Sequence, residues 1–482
     1  MDFEWDRRGC SRNGYSDRYQ VVPSVVPVNK ETELKIIPTE RAFIFFEGAE
    51  YRLHIICADD DEANYFSPTT KHTLDLVAHD GILSFGYTFD REQEYLIMLE
   101  YNEKKIAEFY VYALSEDMYS LTPLRGDFHA HSYRSDGKRD PAALAGHFRE
   151  QGYDFFALTD HNRYYPGDEL EDAYRGVNLG ITHISGEEVH APGCMVHTVH
   201  VGGKSSVAAL YVNDLEKYQA EAADYISRVP EDVPEKYRER YAKLMWVTDH
   251  IHDAGGLAIF PHPYWKPGAS RVFNVQEEFA RILLKSGMYD AYELVGGMGQ
   301  VGVNFSVNLR SEILSEGEKF PVVGSSDVHG VVGAPTFPHY FTVCFAASNT
   351  EDDIIAALKS GSSVAVEATG DEYGRHYRCY GELRLVYFAQ FLLTHYFPNL
   401  QRICAGEGIA MRNYLMGITP ASLIEMSVEQ TEYYKDVFFG RREPVLPSEE
   451  IRAFEDKWRE VQLAGPVTKG SAAHSEKMSR QI

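Results

Sequence analysis

The chain has 482 residues, of which 44% are hydrophobic and 13% aromatic; these are globular values that exclude a disordered or fibrous chain. The formal net charge of -25 argues against nucleic acid or an anionic membrane surface as a partner. We expect neither a signal peptide nor a membrane span, and the six cysteines are scattered with no Cys-x-x-Cys pair, so we expect a cytoplasmic protein with reduced thiols.

The first part of the chain reads as short strands separated by turns, from about residue 19 to residue 114. Asp80-Gly81 is typical of a hairpin turn. We predict an accessory module resembling a β-sandwich over residues 1–120. Strand candidates are residues 33–37, 42–46, 51–56 and 94–99.

From Leu124 the pattern changes to alternating strands and helices. Asp140-Pro141 predicts a helix start and Gly152 its end. This alternation predicts an α/β barrel or an open parallel sheet, in which the chemistry lies at the carboxyl ends of the strands. We place this domain at residues 121–370, a helical extension at 371–465 and a disordered tail at 466–482. Further strand candidates are residues 180–184, 257–260, 291–295, 321–324 and 363–366, and further helices are expected near 241–254 and 352–359.

Histidines and carboxylates follow the predicted strands of this domain. Imidazole nitrogens and carboxylate oxygens without thiolates suit zinc, manganese or iron ions. Nine candidate ligands exceed the four that one zinc ion takes, so we expect two to three ions that share a bridging carboxylate. The motifs are His129-x-His131, Ser135-Asp136-Gly137, Thr159-Asp160-His161, Gly186-x-Glu188, Pro261-His262-Pro263 and Ser326-Asp327-x-His329, with His197 and His200 between the fourth and the fifth.

In this order the motifs resemble the PHP (polymerase and histidinol phosphatase) family of metal-dependent phosphoesterases, over about residues 124–366. The resemblance implies a distorted seven-stranded (β/α) barrel with a trinuclear metal centre. We prefer Glu188 to Glu187 and His197 to His200 as ligands, and both alternatives stay open. The resemblance implies one ion held by His129, His131, Glu188 and Asp327, a second held by Glu188, His262 and His197 or His200, and a third held by Asp136, His161 and His329.

Other residues near the motifs are candidates for supporting roles. Asp127 and Asp160 adjoin ligand histidines in sequence and are predicted as catalytic residues that orient imidazoles or accept protons. Lys138, Arg163 and Arg271 are candidates for binding substrate phosphate, although solvated surface charge also explains them.

Further histidines and aromatic residues carry weaker signals. His183 and His190 flank the glutamate motif and are expected to be structural. His250 and His252 repeat a His-x-His pattern, but on a predicted helix, where residues two apart do not face each other. Trp265 follows the Pro-His-Pro motif and is explained either as a pocket wall or as packing.

The sequence therefore predicts a metal-dependent phosphoesterase that hydrolyses a small phosphorylated metabolite or nucleotide with a metal-activated hydroxide. The alternative is a metal-dependent ester, amide or carbamate hydrolase on a similar barrel. A third hypothesis is a sensor in which the barrel only holds a ligand. We expect a small phosphorylated molecule as the partner, with a homo-oligomer left open.

Overall fold

The computed structural model describes residues 18–60, 70–268, 271–370 and 375–463. The chain divides into two compact units, one made of Met1–Tyr119 and Lys435–Ile482 and the other of Ser120–Tyr434. The domain boundaries predicted near residues 120, 370 and 465 stay predictions. The tail predicted at 466–482 lies outside the described residues.

The strands described in the first unit are β1 (Tyr19–Val22), β2 (Val25–Pro27), β3 (Glu31–Pro38), β4 (Glu50–Cys57), β5 (Thr70–Val77), β6 (Leu83–Thr88), β7 (Gln93–Tyr101) and β8 (Lys104–Leu114). They form one sheet in the order β1-β3-β6 and another in the order β2-β8-β7-β4-β5. Buried and partly exposed residues alternate along β7, as expected when one face of a sheet covers a core. Leu34, Ile55 and Ile97, from both sheets, belong to one buried apolar cluster.

Two local predictions in this unit have different outcomes. The strand predicted at residues 42–46 is wrong, because Arg41–Phe43 forms a 3-10 turn and the residues before β4 are not extended into a ladder. Ile44 and Phe45 are buried all the same, so this apolar run anchors a loop to the core. The Asp80-Gly81 turn is confirmed by two positive φ angles, 55° and 77°, but it joins strands of different sheets.

The last helix of the described chain, Glu449–Leu463, belongs to the first unit. The Arg459 guanidinium lies 4.3 Å from the ring centroid of Phe46, and Arg452 forms an ion pair with Asp80. The end of the predicted helical extension therefore packs on loops that connect the β-strands of this unit.

The strands described in the second unit are β9 (Thr122–Asp127), β10 (Phe155–Ala157), β11 (Thr182–Ile184), β12 (Gly186–Val189), β13 (Thr198–Val201), β14 (Leu257–Phe260), β15 (Ala291–Val295), β16 (Val322–Gly324), β17 (Tyr340–Ala346), β18 (Ser363–Thr369) and β19 (His376–Tyr380). One sheet has the order β11-β10-β9-β17-β18-β19 and the other the order β12-β13-β14-β15-β16. The described helices that begin in this unit are Pro141–Glu150, Pro166–Ala173, Ala208–Asn213, Leu215–Tyr225, Glu235–Asp253, Glu277–Lys285, Gly299–Ser315, Glu351–Lys359, Leu383–His395, Phe397–Leu415 and Ala421–Phe438.

The fold of this unit is mixed α/β, as predicted, but the closed seven-stranded barrel is not confirmed. The strands form two sheets, and β13 and β17 run antiparallel to the strands beside them. Isolated parallel bridges, Ala130 with Val328 and His161 with Glu188, join strand ends of the two sheets. These bridged ends are the ones that carry the candidate ligands.

The helix that follows the first ligand motif begins and ends as predicted. Asp140 caps Pro141–Glu150, since its carboxylate accepts hydrogen bonds from the N–H groups of Ala142 and Ala143. Gly152 has a φ of 77°, which glycine adopts without strain.

A buried ion cluster ties this helix to the helix Phe397–Leu415. Arg149 donates to Glu407 at 2.7 Å and to Asp154 at 3.3 Å. The Glu407 carboxylate also accepts the Gly180 N–H at 2.7 Å. The charged side chains of Arg149 and Glu407 and that of Asp154 are buried, and the one guanidinium is shared by the two carboxylates.

Within the described ranges, no helix combines the length and the apolar character needed to cross a membrane. The cysteines among these residues, Cys57, Cys194, Cys344, Cys379 and Cys404, are free thiols. The cytoplasmic location stays a prediction.

Candidate metal centre

The candidate ligands lie at or just beyond the ends of strands in both sheets of the second unit. Asp327 follows β16 with a φ of 49°, and His262 follows β14 with a φ of 24°. Residues other than glycine rarely adopt positive φ, and such backbone strain is concentrated at functional sites. The strand ends therefore direct both side chains into the same site, and the positive φ angles are a cost in local conformational energy.

Glu188 is the centre of the cluster, and its two carboxylate oxygens face different sets of imidazoles. Oε1 lies 2.8 Å from His197 Nδ1 and 3.2 Å from His262 Nε2. Oε2 lies 2.7 Å from His161 Nδ1 and 3.4 Å from His129 Nε2. A carboxylate in this position can bridge two ions.

Asp327 and Asp136 each lie close to further histidines. Asp327 Oδ1 lies 3.1 Å from His131 Nε2 and 3.4 Å from His129 Nε2. Asp136 Oδ1 lies 3.2 Å from His329 Nε2 and 3.4 Å from His161 Nε2. The structure thus brings all nine predicted ligands together. In each of the groups His129-His131-Asp327, His129-Glu188-His262 and His131-Asp136-His161-His329, the candidate ligand atoms lie within 4.8 Å of one another.

The register of β12 and β13 separates the two alternatives that the sequence leaves open. Glu188 pairs with Val199 and faces the histidines, whereas Glu187 pairs with His200 and faces the opposite side. There the Glu187 carboxylate accepts the Val207 N–H at 2.5 Å and the Ser206 hydroxyl at 2.7 Å. His200 lies 3.5 Å from Glu187, and His197 lies beside Glu188.

The donor atoms of the cluster fit metal ions. His129 Nε2, Glu188 Oε2 and Asp327 Oδ1 are buried, and although other polar atoms lie close to them, none in the described chain has the geometry of a hydrogen bond. Buried polar atoms are normally satisfied, so unpaired nitrogen and oxygen atoms that converge on one volume fit the binding of cations there. Gly296 and Gly297 leave the necessary space, because a Cβ on either would lie about 2 Å from a carboxylate oxygen of Glu293 or Asp327.

The pKa values of the candidate ligands are shifted by burial and by the charges around them. Burial alone would lower the pKa of His129, but the carboxylates around it outweigh burial and raise that pKa well above its usual range. Burial would raise the pKa of Glu188, but the imidazoles, His129 first, hold it well below its usual range. Burial lowers the pKa of His131 and of His197 to about 4. Ionised carboxylates and neutral imidazoles are the forms that bind metal, and protons compete for the same atoms.

Glu293 was missed by the sequence reasoning. It lies within β15 and is fully buried, with Oε2 2.8 Å from His129 Nδ1. A carboxylate on the far nitrogen of a metal-binding imidazole fixes the tautomer and the orientation of the ring. A lone glutamate in an apolar strand, Ala291–Val295, is the only signal in the sequence that could have indicated it.

The two aspartates predicted as catalytic residues hold loops rather than imidazoles. Asp127 accepts the N–H groups of His129 at 3.0 Å and of Ser326 at 3.0 Å, and burial raises the pKa of its carboxyl to about 7. Asp160 accepts the hydroxyls of Ser132 at 2.6 Å and of Ser135 at 2.5 Å. The structure therefore places both as anchors of the segments that carry ligands.

A cavity of about 710 Å³ opens onto the cluster. Of the three cations predicted to bind substrate, Lys138 lines this cavity, whereas Arg163 and Arg271 are exposed and do not. Arg139, which the sequence reasoning missed, is the second cation in the wall. Apolar side chains, Met195, Trp265 and Val332 among them, line the cavity as well.

The remaining histidines separate into one that joins the cluster and others that do not. His190 lines the cavity, with Nε2 3.5 Å from Glu188 Oε2. His183 contacts Glu171 instead. His250 and His252 lie on the helix Glu235–Asp253 and contact Trp246 and Asp290, so the prediction that this His-x-His is not a ligand pair agrees with the geometry.

No protein-family model and no curated protein sequence matches this chain. A solved two-domain protein from Bacteroides vulgatus, containing a predicted PHP-like metal-dependent phosphoesterase, is similar over 56% of this chain and 71% of its own, at 18% identity and a TM-score of 0.36. A protein from Bifidobacterium adolescentis assigned as a metal-dependent phosphoesterase is similar over 44% of this chain and 89% of its own, at 19% identity and a TM-score of 0.32. An amidohydrolase from Chromobacterium violaceum, solved with sulfate and no metal, covers the same shares at 18% identity and a TM-score of 0.30. The resemblance to PHP-like metal-dependent phosphoesterases that the motifs predicted is thus found among solved structures, at low identity and over part of the chain.

Proposed function

We propose that this chain is a metal-dependent hydrolase, and specifically a phosphoesterase that acts on a small phosphorylated molecule. The observation that carries the proposal is the coincidence of the histidine and carboxylate cluster with two cations, Lys138 and Arg139, in the wall of one cavity. Neither cation forms an ion pair with a carboxylate of the described residues, so both are available to an anionic substrate.

The residues that would hold the ions are the nine predicted ligands, with Glu188 as the bridge. The donor set, imidazole and carboxylate without thiolate, supports zinc, manganese or iron, two to three per chain. Divalent ions, when bound there, act as Lewis acids and lower the pKa of a water to near neutrality.

The chain's own side chains account for substrate binding and exclusion of water. Lys138 and Arg139 would bind phosphate oxygens by charge-assisted hydrogen bonds. Trp265, whose ring lies 5.8 Å from that of His197, and Met195 would cover the organic part of the substrate. Glu293 would hold the His129 ring, while Asp127 and Asp160 would keep the ligand-bearing segments in place.

A second candidate function is hydrolysis of an uncharged ester, amide or carbamate by the same centre. The apolar wall favours it, because Met195 and Val332 expose 62% and 81% of their surface where they line the cavity. The two cations favour the phosphoester instead.

The test is hydrolysis of p-nitrophenyl phosphate, bis-p-nitrophenyl phosphate and p-nitrophenyl acetate, before and after chelation. We expect chelator-sensitive phosphate release. Lys138→Met and Arg139→Met should each raise KM for the phosphate substrate about 10- to 100-fold, the equivalent of losing one charge-assisted hydrogen bond. Arg163→Met and Arg271→Met are the matched controls and should leave KM unchanged. Chelator-sensitive hydrolysis of the acetate alone would replace the phosphoesterase with the second candidate.

A further inference from the structure

His190 stands outside the ligand set that the sequence motifs define, yet its position is fixed as firmly as theirs. It follows β12 directly, and its N–H donates to Asn162 Oδ1 at 2.7 Å. Asn162 has a φ of 54°, accepts the Tyr211 hydroxyl at 2.5 Å and donates its own N–H to Glu188 O at 2.8 Å. This network leaves the His190 backbone little freedom.

The His190 ring faces the centre. It stacks on the His197 ring with centroids 3.6 Å apart and planes 20° apart, and its centroid lies 4.4 Å from that of His161. Nε2 is buried, has no hydrogen-bond partner in the described chain and lies 3.5 Å from Glu188 Oε2. A purely structural histidine would have a partner for that nitrogen.

The neighbouring histidine explains why an additional nitrogen is needed at this point. His161 presents Nδ1 to Glu188 and Nε2 to Asp136, so it faces two groups of ligands at once. A neutral imidazole donates only one lone pair to a metal ion. If His161 binds on the Asp136 side, the Oε2 side of Glu188 loses its nearest nitrogen and keeps that of His129 at 3.4 Å, and His190 supplies a further one.

We propose that His190 is a metal ligand, which binds a divalent transition-metal ion through Nε2 together with Glu188 Oε2. The atoms that His161, Glu188 and His190 offer lie within 4.8 Å of one another. Imidazole and carboxylate donors select zinc, manganese, iron or cobalt over magnesium and calcium. This inference rests on the metal centre of the proposed function and adds a residue that the motifs do not contain.

The competing explanation is that His190 only supports the His197 ring, and two variants separate the explanations. His190→Phe keeps an aromatic ring against His197 but has no nitrogen. His190→Gln loses the ring but keeps a polar donor. A ligand role predicts that the phenylalanine variant is the more defective, and a packing role predicts the reverse.

The experiment is Co²⁺ titration of the full metal-free chain, followed by visible absorption and by elemental analysis after gel filtration. We expect His190→Phe to bind at least one ion more weakly by more than about 100-fold, beyond the 10- to 100-fold that loss of an outer partner costs, and to show a changed cobalt spectrum. His190→Gln should recover part of the affinity. His252→Phe is the control, because His252 pairs with Asp290 away from the centre, and it should behave as wild type.

Each outcome has one meaning. Wild-type affinity and an unchanged spectrum in His190→Phe would overturn the ligand role while leaving the proposed function in place. A glutamine variant more defective than the phenylalanine variant would also overturn it. If His190→Phe does not fold, His190→Ala takes its place, and recovery of its cobalt spectrum on addition of imidazole supports the proposal, whereas wild-type binding without imidazole overturns it. A wild-type chain that binds no Co²⁺ would remove both the inference and the metal centre.

Discussion

Two clusters of charged side chains are buried in the second unit, and they are completed in different ways. Around Arg149, the two carboxylates Asp154 and Glu407 share a fixed guanidinium. Around Glu188, the charged partners among the described residues are histidines alone, and several ring nitrogens have no hydrogen-bond partner.

This difference distinguishes a structural ion cluster from a candidate metal-binding site. Burying a charge is costly unless it is paired, and a cluster that contains its own cation is complete when the chain folds. Carboxylates whose charged partners are imidazoles are neutralised only when protons or metal ions bind. In the Arg149 cluster the guanidinium leaves Nη2 unpaired, whereas around Glu188 several ligand atoms from different residues are unpaired and converge on one volume. This convergence, rather than burial or charge, identifies the centre around Glu188.

The largest effect on stability is expected at the self-contained cluster. Arg149→Met leaves Glu407 and Asp154 buried without their cation, so the free energy of unfolding should fall by about 3–5 kcal/mol. Metal content per folded chain should not change. Urea unfolding with elemental analysis measures both, and Arg175→Met is the control, because the exposed pair of Arg175 with Asp172 contributes little. Loss of metal with little loss of stability would mean that the Arg149 cluster serves metal binding and not the stability of the fold.

Chelation should have the next largest effect, and it acts on the other cluster. Free metal ion at 100 times its dissociation constant stabilises a folded protein by about 2.7 kcal/mol. Thermal unfolding should therefore shift to lower temperature after chelation and return when Zn²⁺ or Mn²⁺ is restored. A melting temperature that changes neither after chelation nor after metal is restored would mean that the Glu188 cluster does not bind stabilising ions.

Glu293→Gln tests the support of the His129 ring. The amide keeps the shape of the side chain but removes the charge 2.8 Å from His129 Nδ1. Metal affinity should fall about 10- to 100-fold, with the fold unchanged. Titration of the metal-free chain measures it, with Glu312→Gln as an exposed control. Affinity within twofold of wild type would show that Glu293 does not support a ligand.

The smallest effect is expected at Glu187, the neighbour of Glu188 on the opposite face. Its carboxylate accepts the N–H groups of Val207 and Ala208 at the start of the helix Ala208–Asn213. Glu187→Gln should therefore cost about 1 kcal/mol of stability, as loss of a helix cap does, and leave metal binding intact. Loss of metal in this variant would mean that the wrong glutamate has been placed in the centre.

The sequence predicts the ligands that stand in short motifs. It does not predict the residues whose positions depend on how strands pair in the sheets. His129, His161 and Asp327 stand in short motifs directly after strands, so their convergence follows from the alternation of strands and helices. The choice of Glu188 over Glu187 depends on the pairing of β12 with β13, which spacing alone does not determine. Glu293 has no motif around it.

Adjacency in sequence also misleads. Asp127 and Asp160 adjoin ligand histidines, yet their carboxylates contact backbone and serine groups. The apolar residues at 42–46 have the composition of a strand but follow a 3-10 turn and anchor a loop. The apolar composition of a segment indicates that it is buried, whereas its hydrogen-bond partners are set by the tertiary fold.

The most direct test of the metal centre is elemental analysis of the purified chain beside its Glu188→Gln and Glu187→Gln variants. We predict two to three transition-metal ions per chain in the wild type and in Glu187→Gln, and loss of bound metal in Glu188→Gln, whose amide cannot bridge ions as the carboxylate does. A wild-type chain without metal, or equal metal content in Glu188→Gln, would contradict the account.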